Sequence, residues 1–251
     1  MNDVLKGLIR THFEELKQEY PNFRLTFREK DAVVTGLLEF YIASEKEQIA
    51  HEYHVSMYIP IDYPNNLPSV TEFSGKVPTN FHVNPTGQLC LGVASDLWFY
   101  LEGKLTLSRF TKRCVIPFFL SLQQKQQTGK VNQGERPHGS RGIQEFFKDY
   151  FSCDDTEKLL RILCAIYYGL LDSVASCPCG NNKTYEDCCK QKVDLLLEFC
   201  PQNVIRKDIL IFFHFHYKEK EQSLLKNFFS SKMKNDPHEN FQYHSLSSFF
   251  R

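Results

Sequence analysis

Apolar residues recur every three to four positions over residues 3–19, at Val4, Leu5, Leu8, Ile9, Phe13 and Leu16. That spacing predicts an amphipathic helix with Asp3 as its N-cap and Pro21 as its stop. The period then changes to two. Residues 23–28 and 32–41 read as strands divided by the turn Glu29-Lys30-Asp31, and residues 52–59 alternate with Tyr53, Val55, Met57 and Ile59 on one face. The chain therefore opens with a helix and an antiparallel meander. Pro60, Pro64 and Pro68 exclude a regular helix from the next segment, IPIDYPNNLPSVTEF. It is expected to run extended over the sheet edge, with a short fourth strand at 70–73.

A second helical period, through Leu107, Phe110, Cys114, Phe118 and Leu122, covers residues 106–123, and Pro117 is placed to kink it. Residues 123–142 are polar and glycine-rich and predict a long loop leaving the first domain. Four more helices are expected, at 143–151, 156–171, 193–199 and 204–229, with Pro201 between the last two and a polar tail from Ser230. The organisation read from the pattern is a domain over 1–142 and a helical region over 143–251.

Composition narrows the classes. The chain has 251 residues, 42% hydrophobic and 24% charged, so a core of ordinary size needs no staples. Thirty basic residues balance thirty acidic ones, so no net field favours a nucleic acid. The first twenty residues are amphipathic rather than a continuous apolar leader. The densest apolar run, residues 209–217, is broken by two histidines and falls short of the roughly 20 residues a bilayer span needs. A soluble, cytoplasmic protein with no membrane partner is expected. Nine cysteines, four of them clustered, point to reduced thiols and a metal rather than to disulfides.

Two stretches carry chemistry. In FHVNPTGQLCLG, residues 81–92, Pro85 and Gly87 forbid a helix, and Leu89 and Leu91 flank Cys90, so the thiol lies where a loop meets packed structure. A cysteine beside the polar Asn84 and His82 on a braced loop suits acyl transfer through a thioester, while a half-buried structural cysteine is the plainer reading. In the second stretch, Cys177, Cys179, Cys188 and Cys189 follow a Cys-x-Cys, eight residues, Cys-Cys spacing. Four soft ligands within thirteen residues suit a closed tetrahedral zinc site, with Gly180 and Asn181 making the turn. Lys183 is the cluster's single basic residue, which makes a nucleic-acid role for it the weakest reading.

Helix, meander, YPNNLPSV, H-x-N, G-x-L-C-L and then Trp98 eight residues past Cys90 resemble a ubiquitin-conjugating enzyme domain of the prokaryotic type over residues 1–125. The resemblance implies an α+β ubiquitin-conjugating (UBC-like) fold, an antiparallel meander flanked by helices. It implies Cys90 as the thiol that carries a protein's C-terminal carbonyl. Asn84 would steady the loop and the oxyanion, and His82 would hold the turn. Tyr63, Pro64, Pro68 and Trp98 would be scaffold. Val83 stands where the family has proline, and Asn84 is about two residues closer to the cysteine than usual.

The implied partners are the C-terminus of a ubiquitin-like or other tagged protein, a separate activating enzyme and a target-protein lysine, since the chain has no nucleotide-binding glycine loop. A role as the modifier itself is not expected, since the chain ends Ser-Phe-Phe-Arg rather than Gly-Gly. Bacterial relatives of this kind commonly sit in antiphage defence. Glu135 and His138 lie where the family has its acceptor-gating loop, and His138 could assist amine deprotonation or be a solvated loop histidine. The cysteine cluster, with Tyr185, resembles the SEC-C zinc motif over 177–190, a small docking module. An adaptor that binds a partner's C-terminal tail without catalysis and docks through that module is the alternative.

Overall fold

The computed structural model describes residues 1–43, 48–130, 137 and 139–216. Helix α1 (Asp3–Glu19) begins one residue earlier than expected: Asn2, not Asp3, is the cap, its Oδ1 accepting the Leu5 N–H at 2.8 Å. Asn2 has the extended backbone a cap requires, and Asp3 sits in the first turn, where its charge suits the helix dipole. Ile9, Phe13 and Leu16 form the buried stripe of α1.

Strands β1 (Arg24–Phe27), β2 (Ala32–Ala43), β3 (Gln48–Ile59) and β4 (Ser69–Glu72) make one antiparallel sheet in the order β1-β2-β3-β4. The protein is thus α+β. Tyr53, Val55, Met57 and Ile59 are at most 1% exposed, as the alternation requires. Their face of β2 is Ala32, Val34, Gly36, Leu38 and Phe40, set by the pairing of Val34 with Met57. The hairpin of β2 and β3 is longer than the alternation suggests, since Ile42 pairs with Ile49 and Ala43 with Gln48.

Residues 60–68 do not run extended. The Tyr63 N–H reaches the Pro60 carbonyl and the Asn65 N–H reaches that of Asp62, making successive turns. Asp62, Asn65 and Asn66 favour such turns, and proline's fixed φ suits them as well as it suits a strand. The Tyr63 hydroxyl meets His12 Nδ1 at 2.6 Å, which ties these turns to α1.

A short helix that the periodicity missed, α2 (Ala94–Tyr100), follows the cysteine loop and buries Leu97 and Trp98. The second predicted helix is three pieces: α3 (Leu107–Phe110), a π-turn (Thr111–Val115) and α4 (Ile116–Thr128). Pro117 explains the interruption. It has no N–H to give, and the wider turn, with the Ile116 N–H bonded five residues back to Thr111, receives the ring at the start of α4. Helix α4 covers the sheet, its Phe119 stacked on Tyr53 with ring centroids 3.9 Å apart. It continues to Thr128, so the expected loop begins later, and residues 131–136 and 138 lie outside the described ones.

The remaining helices are α5 (Ser140–Phe151), α6 (Thr156–Tyr168), α7 (Lys190–Phe199) and α8 (Gln202–His216). Residues Met1–Phe212 form one compact unit, so α5, α6, α7 and most of α8 pack in the same body as the sheet. Phe213–Arg251 form the second, of which the end of α8 is described. Among the described residues no helix is long and apolar enough to cross a membrane.

The sheet tolerates no side chain at position 36. A Cβ there would lie 2.6 Å from both Asn22 O and Phe23 Cα, where the chain crosses the sheet face on its way into β1. Gly36→Ala is expected to destabilise by about 1–3 kcal/mol through overpacking. Gly7→Ala, on the exposed face of α1 with nothing within 4 Å of the new methyl, should stabilise by about 0.5–1 kcal/mol. Chemical denaturation midpoints of the two variants check both signs.

Candidate functional site

Residues 83–89 form a small hairpin rather than an open loop. Val83 bridges to Leu89, and the tip Asn84-Pro85-Thr86-Gly87 closes through the Gly87 N–H to the Asn84 carbonyl at 2.9 Å. Asn84 Oδ1 accepts three hydrogen bonds, from the Thr86 N–H, the Thr86 hydroxyl and the Gln88 N–H, at 3.0, 2.7 and 2.9 Å. Its Nδ2 faces Gln88 Oε1 at 3.4 Å. The side chain thus works as an Asx-type staple of the tip. The hairpin docks on the sheet edge: Thr71 of β4 bridges to Gln88, and the Leu89 N–H reaches the Val70 carbonyl at 2.7 Å.

Cys90 is the next residue, and its N–H donates to the His82 carbonyl at 2.7 Å. His82 offers that carbonyl from a left-handed backbone, φ 46°, a region in which histidine is one of the enriched side chains. The structure therefore brings His82, Asn84 and Cys90 onto one hairpin, with His82 touching Cys90 through the backbone and Asn84 engaged at the tip. His138 falls outside the described residues. Phe81 seals the base of the hairpin against Phe118 of α4, ring centroids 5.4 Å apart.

The Cys90 thiol is half-buried. Burial pushes it above the ordinary thiol range, and a hydrogen bond from the Gly92 N–H opposes that rise. A cleft of about 280 Å³ lies nearby in sequence but not at the thiol, lined by Pro64, Trp98, Gly103, Leu105, Phe199 and Cys200.

Sequence reasoning missed the anchor of the segment that follows. Asp208 of α8, 4% exposed, accepts from both the N–H and the hydroxyl of Ser95 in α2, at 3.0 and 2.7 Å. A signal was present: Asp208 falls in the apolar stripe Val204, Ile205, Ile209 and Phe212, where a carboxylate needs a buried partner.

The four clustered cysteines lie between α6 and α7 with their sulfurs all within 4.8 Å of one another. Cys177 and Cys179 are 3.3 Å apart, Cys179 and Cys188 3.5 Å, and Cys188 and Cys189 3.8 Å. A tetrahedral ion with metal–sulfur bonds of about 2.3 Å asks for sulfurs about 3.8 Å apart, so the donor set fits a metal ion. Burial without a cation pushes the Cys177 thiol up to about 11, which a bound cation would reverse. The fold prepares the site locally. The Cys179 and Asn181 backbone N–H groups point at the Cys177 and Cys179 sulfurs, and Asn181 Nδ2 lies 3.6 Å from Cys188 Sγ. Gly180 turns the knuckle at φ 78°.

Arg161 of α6, also missed, donates from Nε to the Pro178 carbonyl at 3.2 Å, and its Nη2 lies 3.2 Å from where a Gly180 Cβ would stand. That bond braces from outside the loop that carries Cys177 and Cys179.

No protein-family model matches this chain, and no curated protein matches it.

Two expectations follow from this geometry. Cys90 should be alkylated by iodoacetamide more slowly at pH 7 than free cysteine, its rate rising with pH to an inflection above that of free cysteine; peptide mass mapping over a pH series reads this. The raised value leaves less thiolate at neutral pH, which fixes the sign. Separately, Arg161→Gln should weaken metal binding by about 10–100-fold in a chelator competition, with the fold retained by circular dichroism.

Proposed function

We propose that the chain is an acyltransferase of the ubiquitin-conjugating type, carrying the C-terminus of a ubiquitin-like or other tagged protein on Cys90 and passing it to a lysine. The observation that carries this reading is a half-exposed thiol at the end of a hydrogen-bonded hairpin docked on an edge strand. Supporting it is the order of helix, antiparallel meander, cysteine stretch and Trp98 along the chain, which follows the order of the resemblance.

In the first step the Cys90 sulfur attacks the thioester carbonyl presented by a separate activating enzyme. A new carbon–sulfur bond forms, the activating enzyme's thiol leaves, and the Cys90 proton passes to that leaving sulfur through solvent. In the second step a neutral lysine amine attacks the same carbonyl, the oxyanion collapses, an amide forms and the Cys90 thiolate departs. The amine's proton goes to water and Cys90 is reprotonated. A thiol held protonated at rest is protected from oxidation until the acyl donor arrives. His82 and Asn84 act here by holding the hairpin, so that Cys90 meets the carbonyl without reorganisation.

The four-cysteine centre is read as a zinc site with a structural role. Four thiolates close a tetrahedral ion and leave no open position for substrate. Its binding free energy stabilises a segment, 169–189, that contains no helix or strand of its own. A docking role for this module and an antiphage setting belong to the same proposal.

The test is intact mass under non-reducing conditions, on wild-type and Cys90→Ser protein co-expressed with the genes that neighbour its own. The expected result is a stable gain on Cys90→Ser that hydroxide removes, with one zinc per chain by elemental analysis. A partner that co-purifies with both forms and never adds mass to either would replace this reading with that of an adaptor binding a partner's tail.

A further inference from the structure

Helix α8 reaches back to the segment beside the Cys90 thiol. Gly92, whose backbone N–H opposes the rise that burial imposes on the Cys90 thiol, precedes α2, whose second residue is Ser95. Ser95 is fully buried and gives both its N–H and its hydroxyl to Asp208 Oδ2, across 113 residues of sequence. On the other side, Gly142 at the start of α5 packs so tightly that a Cβ there would stand 2.2 Å from the Pro137 carbonyl oxygen and 3.4 Å from Val93 Cγ2. Val93 therefore lies beside the start of α5, while Ser95 is bonded to α8. The charged or titratable groups acting on the anchor are Cys200, whose thiol burial pushes up to about 12 and which Ser95 also touches, and Lys207 beside Asp208.

We infer that Asp208 is a positioning residue for Cys90: by fixing Ser95 it holds residues 92–95 so that the Gly92 N–H stays aimed at the Cys90 sulfur. The helical region is then part of the thiol's environment and not an appendage to it. The inference rests on the acyl-transfer reading for its catalytic meaning, but its geometry stands apart from it. A single N–H donor to a developing thiolate is a charge-assisted bond, and losing its alignment raises the cost of the anion.

The experiment is the pH–rate profile of Cys90 alkylation in the full chain, for wild type, Asp208→Ala, Asp208→Asn and Ser95→Ala. Asp208→Ala should lower the rate at neutral pH by about three- to tenfold and move the inflection upward. Asp208→Asn keeps an oxygen acceptor of the same shape and should stay within about twofold of wild type. Where Asp208→Ala does not fold by circular dichroism, Ser95→Ala decides. It removes the hydroxyl bond alone and should shift the profile in the same direction by a smaller amount. A folded Asp208→Ala with the wild-type profile, or one that alkylates faster, would overturn the inference, as would an unchanged Ser95→Ala where Asp208→Ala does not fold. Alkylation needs no carried protein. A shifted profile with no adduct on Cys90→Ser would keep the positioning role and remove the transfer reaction.

Discussion

The alternating face of β3 is the constraint on which the rest of this protein depends. Tyr53, Val55, Met57 and Ile59 are sealed from water, and a register slip of one residue would turn all four to the outside. That cost fixes β2 on one side and β4 on the other. Helix α4 is held on the same face by the stacked rings of Tyr53 and Phe119, and α3 with the π-turn brings Thr111 to within 3.7 Å of the Met57 sulfur. Once β4 is placed, its Val70 carbonyl is the acceptor that seats the cysteine hairpin. The position of Cys90 is therefore inherited from the sheet core.

The hairpin is braced by hydrogen bonds within its own tip and to the sheet edge. Asn84 saturates its oxygen with three donors in the tip, and His82 spends its carbonyl on the Cys90 N–H. A nucleophile delivered by backbone hydrogen bonds loses little entropy when it meets its substrate. The four-cysteine knuckle uses the same economy. Backbone amides and Asn181 face the sulfurs, and Arg161 bonds the knuckle to α6, so local bonds hold the four ligands together.

The helical half is not separate packing beside this core. Helix α7 starts at the last cysteine of the knuckle, and its Phe199 stacks edge-on against Phe99 of α2 at 5.4 Å. A Cβ on Gly103 would stand 3.2 Å from the Phe199 backbone, a second close approach of α7 to the segment after α2. Helix α8 then adds the Asp208 bonds to Ser95. A carboxylate buried this far is costly unless its partners are prepared, and here a helix N-terminal amide and a hydroxyl are both presented to it.

What was legible in the sequence is what depends on neighbours within a few residues. The stripe of α1, the alternation of β3, the turn chemistry around Asn84 and the spacing of Cys177, Cys179, Cys188 and Cys189 are periodic or local patterns, and each reads directly from residue order. Helix α2 escaped because its seven residues show too little of a period. The π-turn escaped because Pro117 predicts a disturbance without saying which geometry absorbs it. The grip of Asp208 on Ser95, the seat of Arg161 on the knuckle and the intolerance of Gly36 to a methyl group were decided by tertiary structure alone. Each is a contact between residues that only the packing of distant segments brings together, and a linear pattern carries no record of such distances.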